Sequence, residues 1–583
     1  MINKNSLRLT FPSFFKESLR KYSDNEAMSF VGEKPITYRE VDERVQSVIS
    51  FLEKNNISKG DKVAILSSNI PNYGISYLAI TFIGAVAVPL LPDFTTNEIT
   101  NILKHSESKA IFATEHLYKK VVDIKNEYLK YRINIEDFTT FEESDDSVSY
   151  IEKAKPSFEH IVEEEDLATI IYTSGTTGKS KGVMLTHKNF CFDCTKCLEF
   201  QPVLPSDRFL SILPLSHTFE MTLGLLLPMF NGAHIFYLKK PPVPSILIPA
   251  MKKVKPTILL VVPLIIEKIF KSKIKPAFSK GKLIPKLYRF SIFRKFLHRM
   301  AGKKLMETFG GEVHFFGVGG AKLDAQCEAF LREAKFPYAI GYGLTETAPM
   351  VAGATPKNTR FRAVGPTPTE ISMKIHNPDP KTKEGEIWVK GDMLMKGYYK
   401  EPELTKEVIT EDGWFRTGDL GTLDKDGYVS IKGRIKNVIV EASGENVYPE
   451  EIEAVIHNFR HVNEAIVVQQ KGKLVALVNF NMEEIETKYR ELKKDVRNYV
   501  DTKSGEIKQI VDTKSEDFKK LIELKSDELK TVVDARIETL SKELQMYVNQ
   551  NVNKFSQVQL VVAHPTPFQK TATHKIKRFL YTK

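Results

Sequence analysis

Residues 173–182 read TSGTTGKSKG and combine three features that suit one kind of chemistry. Glycines let backbone N–H groups approach phosphate oxygens, hydroxyls add donors, and lysines supply charge, which is the composition of a polyphosphate cradle. The strand-like run Leu167 to Tyr172 precedes it, whereas a flexible Gly/Thr linker needs neither a flanking strand nor lysines. A Walker A loop is excluded, because that motif requires Gly five residues before the Gly of Gly-Lys-Ser, and Thr173 stands there. A second constellation, Cys191, Cys194 and Cys197, has a spacing that invites an iron–sulfur or zinc reading. It follows THKNF in a helical pattern, where such spacing sets small apolar side chains on neighbouring turns. The only fourth cysteine is the distant Cys327, so core packing is the stronger reading.

The elements that must position this chemistry come from a long chain. At 583 residues it should hold several structural units, and its 42% hydrophobic and 27% charged content is ordinary globular composition. Val63 to Leu66 and Ala85 to Leu91 read as buried strands, and Tyr38 to Asn55 has the spacing of an amphipathic helix. Phe209 to Leu213, Thr257 to Val262 and Val313 to Val318 continue the alternation, which predicts a mostly parallel sheet. After Phe361 short strands with Asp-Gly turns predict an antiparallel sheet or small barrel, and a domain border falls near Arg434 to Asn437. Four cysteines give no disulfide framework, Met1 to Arg8 lacks the apolar core of a signal peptide, and no apolar run reaches a membrane span. The expectation is a cytoplasmic protein.

Further segments extend the TSGTTGKSKG signal: GYGLTE at 341–346, GEIW at 385–388, TGD at 417–419, GRIK at 433–436, SGEN at 443–446, and PFQKTATHKIKR at 567–578. In this order they resemble the adenylate-forming enzymes, which include acyl-CoA synthetases, luciferases and peptide-synthetase adenylation domains. The details resemble bacterial long-chain fatty acyl-CoA synthetases most. The resemblance implies a large α/β N-terminal domain with a small β-barrel over 1–435 and a small mobile α+β C-terminal domain over 436–482 and 556–583. A helical insertion would occupy 483–555. It also implies ATP-dependent activation of a fatty acid to an acyl-adenylate, then transfer to coenzyme A. An aryl or medium-chain acid, or a noncatalytic scaffold using the long helix, stands as the alternative.

By the family's pattern, ATP would be held by Thr173, Ser174, Gly175, Thr176, Thr177, Gly178 and Lys179 of the phosphate loop, with Gly341, Gly343 and Thr345. Gly319, Gly320, Ala321 and Tyr342 would hold adenine, Asp419 and Arg434 the ribose, and Thr173 with Glu346 Mg²⁺. Lys575 would be the catalytic lysine of adenylation, with Lys570 a second basic candidate nearby, and Lys436 the hinge. His217, Ser443 and Gly444 would lie near the acyl group and CoA. One departure is His574, where many members have Gly, which leaves its effect on adenylation open.

The formal charge of +11 raises nucleic acid as a partner, but its location argues otherwise. From Lys268 to Lys304 there are 13 Lys or Arg and no Asp or Glu, which leaves 71 basic and 73 acidic residues elsewhere. Phenylalanine, leucine and isoleucine are interleaved with these cations, the mixture expected of a segment lying on anionic lipid at the inner face of a membrane, with a solvated face over ordinary core packing as the alternative. From Val496 an 11-residue pattern repeats five times, with apolar first and fifth positions, which predicts one long helix with a nearly straight stripe. Its 10 basic and 11 acidic residues give no net attraction to lipid, and Lys503, Lys514, Lys525 and Arg536 fall within the stripe. A solvated spacer, self-association through 496–550 and membrane contact all remain open for it.

Overall fold

The computed structural model describes residues 7–141, 161–174, 180–278, 284–440, 446–482, 485, 535–571 and 576–582, with Ser174 described by its backbone. The chain divides into two compact units, Met1–Ile431 and Lys432–Lys583.

In the first unit the apolar runs become buried parallel strands. Lys62–Leu66, Val86–Leu90 and Ala110–Ala113 lie side by side, nearly all their side chains out of solvent, as strands covered by helices on both faces must be. They belong to a seven-stranded sheet, ordered Gly397–Tyr398, Ser180–Thr186, Leu167–Ser174, Val86–Leu90, Lys62–Leu66, Ala110–Ala113 and Tyr131–Asn134. A second, eight-stranded sheet is ordered Met350–Gly353, Tyr338–Gly343, Phe315–Val318, Ile258–Val261, Arg208–Leu210, His234–Tyr237, Glu26–Phe30 and Ile36–Thr37. Its six inner strands are parallel and its two outermost pairings antiparallel.

Helices cover the sheets for local reasons. Tyr38–Lys54 starts at Thr37, whose hydroxyl accepts from the Glu40 N–H while the Glu40 carboxylate accepts from the Thr37 N–H. Tyr38, Val41, Val45, Val48, Ile49 and Leu52 then bury one face. Cys191, Cys194 and Cys197 are all buried in the helix His187–Phe200, as the packing reading expects, and no group of three metal-ligating side chains occurs among the described residues. No helix among them is long and apolar enough to cross a membrane. The strand-rich region after Phe361 is a four-stranded sheet of Ser372–His376, Gly385–Lys390, Phe415–Leu423 and Val429–Arg434, and the boundary between the units falls within its last strand.

The second unit is built on Val462–Gln470, Lys473–Phe480 and Leu560–Ala563, the first pair antiparallel and the second parallel. A parallel neighbour requires a crossover, and most of its described part is a helix over 535–551. Leu540, Leu544 and Val548 of that helix are fully buried against Ile452, Ile456, Leu474 and Ala476. Gln545 and Asn549 donate to the carbonyl of Val558, and Arg536 lies 3.4 Å from Glu543. Within the helical insertion expected over 483–555, the apolar stripe of the last repeat is thus a core face of its own unit. Residues 486–534, and with them the spacer, self-association and membrane readings of the earlier repeats, lie outside the described residues.

Candidate active site

In open α/β sheets, ligands gather beyond the carboxyl ends of parallel strands, where the connecting loops converge. The segments singled out in the first unit emerge there. Leu167–Ser174 runs into TSGTTGKSKG and pairs antiparallel with Ser180–Thr186, Thr173 opposite Lys181 and Ser174 opposite Ser180, so the segment is the tip of a hairpin. Gly175, Thr176, Thr177, Gly178 and Lys179 lie outside the described residues.

In the other sheet Val318 pairs with Ile340; Gly319, Gly320 and Ala321 follow the end of the first strand, and Gly341, Tyr342 and Gly343 end the second. Gly343 is demanded by packing, since a Cβ there would lie 1.6 Å from the Pro349 carbonyl oxygen. Tyr342 donates to Asp419 Oδ2 at 2.7 Å, joining the two side chains assigned to adenine and ribose. Asp419 is buried on Phe415–Leu423, its backbone N–H is held by Thr417 Oγ1 at 3.1 Å, and the Tyr342 hydroxyl orients its carboxylate.

Thr345 and Glu346 follow in the turn Thr345–Thr347, both half-buried. Tyr398 donates to Glu346 Oε1 at 2.9 Å, and Lys181 lies over the Tyr398 ring, 4.9 Å from its centre. Tyr398 pairs with Val183 on the phosphate-loop hairpin, so it ties Glu346 to the strand that carries Lys181. Sequence reasoning missed Tyr398; its only signal was an aromatic pair after Gly397. The donor set suits Mg²⁺. This hard cation takes oxygen ligands and is commonly held by one or two carboxylates with substrate phosphates rather than by an all-protein cage. A carboxylate that accepts one bond from Tyr398 retains further acceptor capacity.

His217 is half-buried and caps the short helix Thr218–Glu220, its Nδ1 accepting from the Phe219 N–H at 3.3 Å. The helix continues through a widened turn, Met221–Leu226, a form frequent at functional sites. Glu220 is a residue that sequence reasoning left aside, although it is the only acid in the apolar run 209–237. It is fully enclosed, accepts from Ser211 at 2.6 Å, and burial pushes its carboxyl up to about 8. Thr222 of the same helix donates to the Ala348 carbonyl at 2.8 Å and braces the loop that carries Glu346.

Below these residues lies an apolar pocket, open at its mouth. Gly317, Val318, Ala339, Ile340 and Gly341 form one wall, Phe200, Phe209, Phe219 and Phe315 line it further, and Gln201 is the one amide side chain. The strands whose ends carry Gly319, Gly320, Gly341 and Tyr342 therefore also wall the pocket.

Arg434 and Lys436 are exposed in the second unit, at the end of Val429–Arg434 and in the turn Ile435–Asn437. Ser443, Gly444, His574 and Lys575 lie outside the described residues. Lys570 forms an ion pair with Glu464, whose other oxygen accepts from the Phe568 N–H at 2.8 Å. Backbone pairing of Lys570 with Ile576 frames the segment that contains Lys575.

Comparison with known proteins agrees with this geometry. The AMP-binding enzyme family matches residues 15–399. Fatty acyl-CoA synthetase A of Dictyostelium discoideum is 29% identical over 460 residues, which cover 72% of this chain and 68% of that protein. 4-Coumarate–CoA ligase 1 of Petroselinum crispum is 30% identical over 478 residues, covering 78% and 80%. The structure of O-succinylbenzoate coenzyme A synthetase from Bacillus subtilis, in complex with ATP and magnesium ion, shares the fold with a TM-score of 0.71 at 19% identity, covering 97% of this chain and 98% of that one.

Proposed function

The chain belongs to the AMP-binding enzyme family, and from that premise we propose that it activates a long-chain fatty acid as its acyl-adenylate and transfers the acyl group to coenzyme A. The coarser activity is AMP-forming ligation of a carboxylic acid to CoA, shared by relatives with fatty and with aromatic acids. The observation that favours a fatty acid is the pocket. Its phenylalanine and glycine lining offers one amide and no charged group, which suits a methylene chain and gives a hydroxycinnamate phenol little to bond with.

A carboxylate is a poor electrophile. In the first half-reaction its oxygen attacks the α-phosphorus of ATP and pyrophosphate leaves; in the second the CoA thiol attacks the acyl carbon and AMP leaves. Negative charge approaches negative charge in the first step, so the site must supply fixed donors and cations. The loop from Thr173 to Lys179 would cradle the phosphates. Tyr342 and Asp419 would orient adenine and ribose, with Arg434 a second ribose contact. Mg²⁺, held by Glu346 and Thr173, would supply charge neutralisation at the phosphates. Lys575 would bring its ammonium to the α-phosphate and carboxylate oxygens for adenylation, and the pairing of Lys570 with Glu464 supports Lys575 over Lys570 for that role. Lys436 would be the pivot between half-reactions.

Pyrophosphate release measured with ATP, CoA and acids of increasing length tests the substrate class. A buried methylene contributes about 0.8 kcal/mol, so kcat/KM should rise about fourfold per CH₂ until the pocket is filled. A flat series, or preference for 4-coumarate over hexadecanoate, would overturn the fatty acid reading. Absence of turnover with any acid would favour the scaffold.

A further inference from the structure

We infer that the outward face of the helix Ser291–Thr308 and the turn before it form a docking surface for an anionic lipid bilayer. The helix is apolar on two sides. Its inner side holds His298, Gly302 and Leu305, all buried. Gly302 lies so close to the end of the following helix, Ala325–Glu333, that a Cβ would sit 2.7 Å from Ala334 Cβ. Arg294 pairs with Glu333 at 2.7 Å, His298 lies 2.8 Å from the same carboxylate, and Tyr288 reaches His298 Nε2 at 2.8 Å. Of the helix's own cations Arg294 is thus committed to the fold, as Lys271 and Lys275 are earlier in the basic stretch, and the helix is clamped by its inner side.

The outer side is left to solvent although it is strongly apolar. Ile292 is 80% exposed, Phe290 64%, Phe296 59%, Met300 58% and Phe293 47%. At 100° per residue, Ile292, Phe293, Phe296 and Met300 fall within an arc of about 100°, one continuous ridge. A contiguous exposed apolar ridge signals an interaction surface rather than ordinary scatter.

The charges around the ridge identify the partner. Lys286, Arg289, Lys295, Arg299, Lys303 and Lys304 are exposed, and none forms an ion pair with a described carboxylate. In the sequence no acid occurs between Glu267 and Glu307, and Glu307 lies a turn beyond Lys303, at the end of the ridge. Phenylalanines and aliphatic tips set among unpaired cations match a surface with anionic headgroups over an apolar interior, one group for each kind of side chain. A nucleic acid would meet the cations but gain little from Ile292 and Met300. The surface lies wholly in the first unit, and the inference holds whichever carboxylic acid the enzyme uses.

The full-length protein should co-sediment with phosphatidylcholine vesicles containing 30% phosphatidylglycerol at least tenfold better than with phosphatidylcholine alone, and this preference should shrink as salt rises. Two triple variants divide the contributions: K295E/R299E/K303E should lose the preference for the anionic vesicles, and I292S/F296S/M300S should lose at least tenfold in binding at low salt. All six side chains face solvent, so both variants should melt with the wild type. Phe296→Trp provides a second readout, a blue shift and quenching by brominated lipid on anionic vesicles. Equal binding to neutral vesicles, binding unchanged in both triple variants, or an emission from the Phe296→Trp variant that vesicles do not shift would overturn the inference. So would a dimer in light scattering that I292S/F296S/M300S makes monomeric without any vesicle binding.

Discussion

Tyr398 shows how a residue without a motif governs one that has a motif. Its hydroxyl holds Glu346 Oε1 and its ring carries Lys181, so it sets where the carboxylate proposed for Mg²⁺ points. Tyr398→Phe should leave the fold intact, lower kcat for adenylation about tenfold, and raise the Mg²⁺ concentration needed for half-maximal pyrophosphate release. An unchanged Mg²⁺ dependence would show that the bond is structural only. Glu220 makes a different prediction. Burial raises its carboxyl from 4.5 to about 8, so at neutral pH the folded protein keeps a proton that the unfolded chain has released. Stability from this group is therefore present below pH 4.5 and falls as pH rises toward 8, by up to about 1.4 kcal/mol for each pH unit between the two values. Glu220→Gln should be near neutral at pH 5 and stabilise the protein at pH 8, in melts recorded across that range. His187, whose buried imidazole is pushed down to about 3, works in the opposite sense, costing stability as pH falls below 6.5. It does not touch the difference between wild type and variant.

At the scale of elements, the 11-residue pattern was legible in the sequence as a helix with a stripe, but not what the stripe meets. A stripe of apolar residues is equally suited to a partner helix, a lipid surface or the chain's own core, since periodicity reports a face and not its neighbour. For 535–551 the neighbour is the sheet of the second unit. Leu544→Ala should therefore cost about 2–5 kcal/mol in the second unit's unfolding, read by denaturant titration. A truncation meant to test self-association should end before residue 535, because removing Leu540, Leu544 and Val548 would destroy a core rather than a contact. The same logic holds for Ser291–Thr308: its cations were visible in the sequence, but which of its two apolar sides faces outward was not.

At the scale of the whole molecule, the proposed reading divides the reaction between the two units. Phosphate loop, adenine residues, Asp419 and acyl pocket belong to the first, and Arg434 and Lys575 to the second. Lys575→Ala should abolish acyl-adenylate formation from ATP and acid while sparing thioester formation from supplied acyl-adenylate and CoA, each half-reaction assayed separately. Loss of both would point to a role for that segment in folding.

Residue types and their spacing in the chain sufficed for the alternation of strands and helices and for the strand Leu167 to Tyr172 that leads into TSGTTGKSKG, because these depend on local backbone demands. The tertiary structure alone decided the rest. The pocket is lined from segments spread between Cys197 and Ala354, and Tyr398 reaches Glu346 across 52 positions. Glu220 acquires its raised pKa only when the core closes over it. Each of these depends on which surfaces meet, and one-dimensional order does not encode that until packing and the exclusion of water bring distant side chains together.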